Sequence, residues 1–210
     1  MKKATIALLL ICTAAFAQQK GSFTDTRDKK TYKTVKIGKQ TWIAENLNYD
    51  PGAGTSACYD NKPENCEKYG RLYDWATAMK ACPKGWHLPS SKEWKTLEGF
   101  AGGWEDYNSD DGGELFGNKK LKAKSGWESD LSDGTDNYGF SALPGGLGNS
   151  GGGFSGIGSS GNWWSSSEKS YGPEDGGSGA DFRYMSYLDV DAYRDNISKS
   201  FLYSVRCIKD

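Results

Sequence analysis

The sequence predicts a single α+β domain: two helices, short antiparallel strands and long Gly/Ser-rich loops. Three observations predict it. Apolar residues recur at helical spacing in two segments of the first half, 72–79 and 94–101. Short β-branched and aromatic runs, bounded by turn residues, stand before and after them. Glycine, with 28 residues in the chain, crowds the second half: nine of the seventeen residues from Gly145 to Gly161 are glycine. The same arithmetic removes other classes. Glycine shows no three-residue period, so the chain is not collagenous. Eight Trp and 12 Tyr bring large buried area and argue against disorder. Lys+Arg (26) balance Asp+Glu (27), which leaves no basic excess to neutralise a phosphate backbone, so no nucleic-acid partner is expected. The 210 residues fit one domain with room for a core.

Residues 1–17 read as a secretory signal peptide. Lys2 and Lys3 give a positive start, Ala4 to Phe16 is largely apolar, and Ala15-Phe16-Ala17 is an A-x-A cleavage signal. A lipid anchor at Cys12 is the alternative, but Ile11 stands where a lipobox needs a small residue. Cleavage removes two lysines and no acid, leaving a net charge of −3. No later stretch is long and apolar enough to span a membrane. The expected location is therefore secreted, periplasmic or cell-surface. Residues 18–30 are polar and read as a flexible lead-in, with the domain proper over 31–210.

Tyr32, Val35 and Ile37, then Gly38-Lys39, then Gln40 to Ile43 read as a hairpin with a type II′ turn. Residues 50–68 read as loop. Leu72, Trp75, Ala76 and Met79 share one face of the first helix, which Pro83 ends. Ser90 and Glu93 form a capping box at the start of the second helix, whose inner face is Trp94, Leu97 and Ala101. Gly102-Gly103 ends it. Candidate strands follow at 182–188, 191–194 and 201–208. In the last of these Tyr203, Val205 and Cys207 share a face.

With Cys12 removed, Cys58, Cys66, Cys82 and Cys207 remain, and an even number in an exported chain reads as two disulfides. Three pairings are open. Cys58 with Cys66 is preferred because it closes a short, turn-rich loop; Cys82 with Cys207 then joins the first helix to the last strand. No C-x-x-C pair occurs and His87 is the single histidine, so a metal reading has little support and no cofactor is expected.

Four blocks are together similar to the Fibrobacter succinogenes major paralogous domain family. They are Tyr32–Gly38 through Trp42-Ile43-Ala44-Glu45-Asn46-Leu47; Tyr69–Tyr73 through Cys82–Ser90; Tyr138–Gly146; and Trp163–Glu168 with Ser204-Val205-Arg206-Cys207. One departure is Asp28-Lys29, where the family commonly has Asp-Gly. The resemblance implies an exported bacterial protein and a fold similar to C-type-lectin-like domains and the formylglycine-generating-enzyme group. There Leu88-Pro89-Ser90 and Glu93-Trp94 stand at corresponding places. In such folds the last strand returns beside the first helix, which agrees with Cys82–Cys207. The formylglycine-type oxidation needs two late-loop cysteines, and none lies between Cys82 and Cys207. The motifs of calcium-dependent lectins are absent. Asp106, Asn108 and Asp110 lack the glycine and closing Glu of a calcium loop, and Asp130, Asp133 and Asp136 read as a solvated turn.

No catalytic constellation stands out. His87, between Trp86 and Leu88, reads as packing. Gly156 to Gly161 matches G-x-G-x-x-G without the flanking strand and helix that a dinucleotide needs. Lys119, Lys120, Lys122 and Lys124 read as a solvated face. Trp163 and Trp164 are adjacent, so on a strand they point to opposite faces. One can be core while the other faces the glycine-rich loops and stacks on a sugar or anchors a partner; the other reading buries both. The expected function is a non-catalytic binding module for a polysaccharide or cell-surface protein. Its candidate site is Trp163, Trp164, Glu168, Asp136 and Asn137. The alternatives are a structural envelope protein or an enzyme with a site near Asp136, His87 and Glu168.

Overall fold

The computed structural model describes residues 19–52, 55–102, 116–129, 133–170, 178–188 and 191–210; within them the chain is mixed α+β, with three α-helices. The predicted signal peptide, Asp106–Asp111 and Asp130 lie outside the described residues.

Strand β1 (Lys20–Thr24) pairs antiparallel with β2 (Thr31–Ile37), Lys20 opposite Val35 and Thr24 opposite Thr31. The stretch read as a lead-in is thus in part an edge strand. Its side chains are nearly all exposed, so no apolar alternation marks it, and the pairing comes from β2's backbone. The β1–β2 turn is pinned by Asp25, which is fully buried and accepts from the Arg27 backbone and guanidinium. Lys29 sits there at φ 65°. That left-handed geometry suits the glycine that the resemblance leads one to expect. Gly38 (φ 57°) turns β2 into β3 (Gln40–Ile43), as the hairpin pattern predicts.

After β4 (Ser56–Ala57) comes α1 (Pro63–Tyr69), inside a stretch read as loop. Pro63 in its first turn and Gly70 (φ 78°) at its end are the Pro-start, Gly-stop pair of a short helix. Strand β5 (Leu72–Tyr73) leads to α2 (Trp75–Ala81), capped by Asp74, whose side chain accepts from the Thr77 N–H at 2.8 Å. The buried face of α2 is Trp75, Ala78 and Ala81, while Met79 and Ala76 face solvent. The predicted face was out of phase because Leu72 belongs to β5, not to the helix. Strand β6 (Trp86–His87) precedes α3 (Ser91–Gly102). Its capping box forms: Ser90 Oγ accepts from Glu93 N, and the Ser90 N–H donates to Glu93 Oε2 at 2.8 Å.

The rest is β7 (Phe116–Gly117), β8 (Gly145–Gly148), β9 (Phe154–Ile157), β10 (Ser160–Ser170), β11 (Ser178–Ser186), β12 (Asp191–Ser198), β13 (Tyr203–Ser204) and β14 (Ile208–Lys209). The G-x-G-x-x-G segment takes in the end of β9, the turn and the start of β10, so a strand and not a helix follows it. One sheet runs β1-β2-β3-β14-β6, the other β4-β5-β13-β10-β11-β12-β7, with β8 against β10 and β9. The predicted last strand is split: β13 belongs to one sheet and β14 to the other, yet Tyr203, Val205 and Cys207 still share one core. Strand β10 lies between two cores. On one side Trp164, Tyr73, Val205 and α2 pack together; on the other Trp163, Trp42, Trp94 and α3. A buried ion pair, Arg183–Glu98 at 2.8 Å, ties β11 to α3.

Candidate functional site

The expected disulfides form: Cys58–Cys66 across eight residues and Cys82–Cys207 across 125. Trp163 and Trp164 do point to opposite faces of β10, but both are 0% exposed. Neither indole can stack on a ligand. Trp164 donates its Nε1–H to Tyr73 O at 2.7 Å and packs on Tyr203; Trp163 donates to Asn46 Oδ1 at 2.9 Å beside Trp94. Both faces of β10 are covered because α2 and α3 lie on opposite sides of it, a long-range fact with no local signature.

The remaining predicted residues do not converge with the tryptophans. Glu168 is exposed and pairs with Lys199 at 3.2 Å, and Lys199 lies over Trp75. Asp136 (φ 43°) braces its own loop, accepting from the Ser141 N–H at 2.8 Å and Oγ–H at 2.7 Å. Asn137 is exposed next to it. Asp133 accepts from the Trp127 N–H. Among the described residues no group of three His, Cys, Asp or Glu is placed to hold a metal. The grouping of His87, Asp136 and Glu168 is not seen in their hydrogen bonds: His87 is held by Asp210 (2.7 Å) and Glu93 (2.9 Å) instead. Burial lowers the His87 pKa, but the hydrogen bonds to Asp210 and Glu93 outweigh it, and the net shift is upward. Lys122, expected in a solvated face, is fully buried; its ammonium donates to Ser186 O and lies 4.3 Å from the Trp127 ring.

A different place has the geometry of a site. A cleft of about 310 Å³ opens between the outer part of β2, the segment after β3, the end of α1 and the 139–143 loop. Lys33, Glu45, Glu67 and Lys68 bring charges of both signs to it. Glu45 is fixed there by the Lys33 N–H, which donates to its Oε2 at 2.6 Å. Tyr32 closes the inner end; the Asn48 N–H donates to its hydroxyl, and burial pushes its pKa up to about 12, so it stays a neutral phenol.

The floor is locked by one side chain. Asn46, 6% exposed, donates from Nδ2 to Tyr69 O (2.7 Å) and Ser204 Oγ (3.3 Å). Its Oδ1 accepts from Trp163 Nε1 (2.9 Å) and Arg206 Nε (2.7 Å). Every polar atom of the amide is used. Gly70 is required beside it: a Cβ there would stand 2.6 Å from Asn46 Cβ, on a backbone at φ 78°. Arg206, wholly buried, continues the network to Phe140 O (2.6 Å) and Ser141 O (2.9 Å). Burial pulls its pKa down to about 9, with Glu45 and Asp136 opposing, and the guanidinium remains charged at neutral pH. It therefore anchors the 139–143 loop, one cleft wall, to the segment between β13 and β14.

Asn46, Arg206 and the cleft were not singled out from the sequence. A signal existed: Asn46 stands in Ile43-Ala44-Glu45-Asn46-Leu47, and Arg206 between Val205 and Cys207. A polar residue in an apolar run that must be buried needs a full set of partners.

Among the described residues no helix is long and apolar enough to cross a membrane. No curated protein and no solved structure matches the chain. The family model described as the Fibrobacter succinogenes major domain matches residues 35–209, which takes in the Asn46 hub, both disulfides, α1 to α3 and Arg206. The chain belongs to the Fibrobacter succinogenes major domain family.

Proposed function

We propose that this is an exported, non-catalytic binding module with a C-type-lectin-like fold, and that its ligand, a polysaccharide or a cell-surface protein, sits in the cleft walled by α1 and the 139–143 loop. One observation carries this reading. The cleft is built in advance: its floor amide has no rotamer to lose, and its rim presents Lys33, Glu67 and Lys68 to solvent. Preorganised polar groups around a concavity bind without the cost of ordering them first. Two disulfides on a small scaffold support an oxidising compartment, and the A-x-A signal at Ala15–Ala17 supports export. The last strand crossing between two sheets beside the first helices supports the lectin-like topology.

The test is retention of the mature chain on insoluble polysaccharides and on immobilised cell-surface protein fractions. Lys33→Ala/Lys68→Ala should lower retention roughly tenfold with the melting temperature unchanged. Full retention by that variant refutes the cleft as the site. N-terminal sequencing of exported protein should begin at Gln18; intact Met1 on protein outside the cytoplasm refutes the cleavage.

A further inference from the structure

We infer that the Phe100–Tyr138 ring pair is a sugar-stacking platform that continues the cleft, which commits the ligand to a polysaccharide; this rests on the cleft being the binding site. Phe100, on the outer part of α3, is 50% exposed, although burying a phenyl ring is among the larger gains a fold can make. It is nonetheless held in place. Gly38 lies under it so closely that a Cβ there would stand 3.0 Å from the ring, and Tyr138 flanks it, centroids 5.6 Å apart and planes tilted by 59°. An exposed ring fixed on two sides presents its remaining surface ready for contact.

Tyr138 is also the link to the cleft. It belongs to the loop that Asp136 braces through Ser141, and Gly139 and Ser141 of that loop line the cleft. Arg206 fixes the far end of the same loop through the Phe140 and Ser141 carbonyls. Aromatic platform and polar cleft are therefore built on one hydrogen-bonded segment.

The chemistry of the pair selects the occupant. A pyranose ring has an apolar C–H face and a rim of hydroxyls. Phe100 and Tyr138 offer a tilted apolar seat; the exposed Asn137 amide, Tyr138's own hydroxyl and the polar cleft offer donors and acceptors to the rim. Two rings are far too small for a protein interface, which needs about 800 Å² from each partner. A chain of sugars satisfies both surfaces, one residue stacked on the rings and its neighbours in the cleft.

The experiment measures retention of the full mature chain on insoluble β-glucan, xylan, chitin and α-glucan particles. Wild type is compared with Phe100→Leu, which keeps apolar bulk without a π face, Tyr138→Leu, and Lys33→Ala/Lys68→Ala. Near-UV circular dichroism verifies the fold of each, and Tyr138→Leu serves if Phe100→Leu does not fold. Binding of wild type to at least one particle, weakened roughly tenfold or more by either ring variant, is the expected result. Binding that tolerates both ring variants and is lost in the lysine variant overturns the platform and leaves the cleft reading intact. Wild type retained by none of the four also overturns the platform, and leaves the cleft to a surface protein.

Discussion

Asn46→Ala tests the locked floor in quantitative terms. The change leaves two fully buried donors without an acceptor, Trp163 Nε1–H and Arg206 Nε–H, and removes the donor that Tyr69 O now receives. An orphaned neutral group costs about 1–3 kcal/mol and one on a charged group somewhat more, while the lost Tyr69 contact adds about 1 kcal/mol. The expected loss is about 4–6 kcal/mol, a large share of the roughly 5–15 kcal/mol of a typical domain. At about 2–4 °C per kcal/mol, the melting temperature should fall by roughly 10–20 °C. Urea denaturation under non-reducing conditions gives the free energy directly. The double variant Asn46→Ala/Trp163→Phe should be less destabilised than the two single changes summed, because Phe brings no N–H to orphan. A loss below about 1.5 kcal/mol, or strict additivity in the double variant, would refute the hub.

Three further outcomes follow from the geometry. Cys82→Ser/Cys207→Ser should cost about 5 kcal/mol and Cys58→Ser/Cys66→Ser about 2.5 kcal/mol on the loop-entropy model, given separations of 125 and eight residues; urea midpoints that rank the two the other way contradict it. Lys29→Gly should stabilise by about 0.5–1 kcal/mol by relieving the left-handed φ of 65°, whereas Gly70→Ala at φ 78° against Asn46 should destabilise by about 2–4 kcal/mol; thermal melts in which both move the same way contradict the backbone reading. The His87 pKa is raised, so its stabilisation is full below its ordinary 6.5 and fades as pH climbs through the folded value. Burial tends to raise the Glu93 pKa, but the hydrogen bonds from Ser90 and His87 prevail and the net shift is downward, so its contribution is present above its ordinary 4.5 and fades as pH falls through the folded value. The gap in melting temperature between wild type and His87→Gln should therefore be widest at about pH 5–6.5 and shrink toward pH 8.5; a gap that is constant with pH contradicts this.

What the sequence discloses is mainly local. The Gly38 turn, the Ser90–Glu93 capping box, the inner face of α3 and the alternation of Tyr203, Val205 and Cys207 all depend on residues within a few positions of one another, and each is found. Helix α1 was legible in Pro63 and Gly70 but hidden by its seven-residue length, too short for a periodic pattern. Strand β1 carries no apolar alternation because Phe23, which packs on Trp86, is its one apolar side chain against the core. The tryptophan pair shows the limit best. Opposite orientation follows from strand geometry, but whether each face is covered depends on α2 and α3, whose placement is a tertiary matter. The cleft is more remote still: its walls come from four segments, and Asn46 reaches partners 23, 117, 158 and 160 residues away. Loop-face aromatics looked like the place for a ligand, yet those rings build the core, and among the described residues the exposed ring is Phe100, flanked by the half-buried Tyr138.

The most direct measurement is amide hydrogen exchange of the mature chain with and without a polysaccharide or surface protein that retains it. Binding in the cleft predicts new protection over residues 30–33, 45–48, 66–70 and 137–143, with β10 unchanged. Protection concentrated around Glu168 and Lys199, with those four segments unaffected, would contradict it.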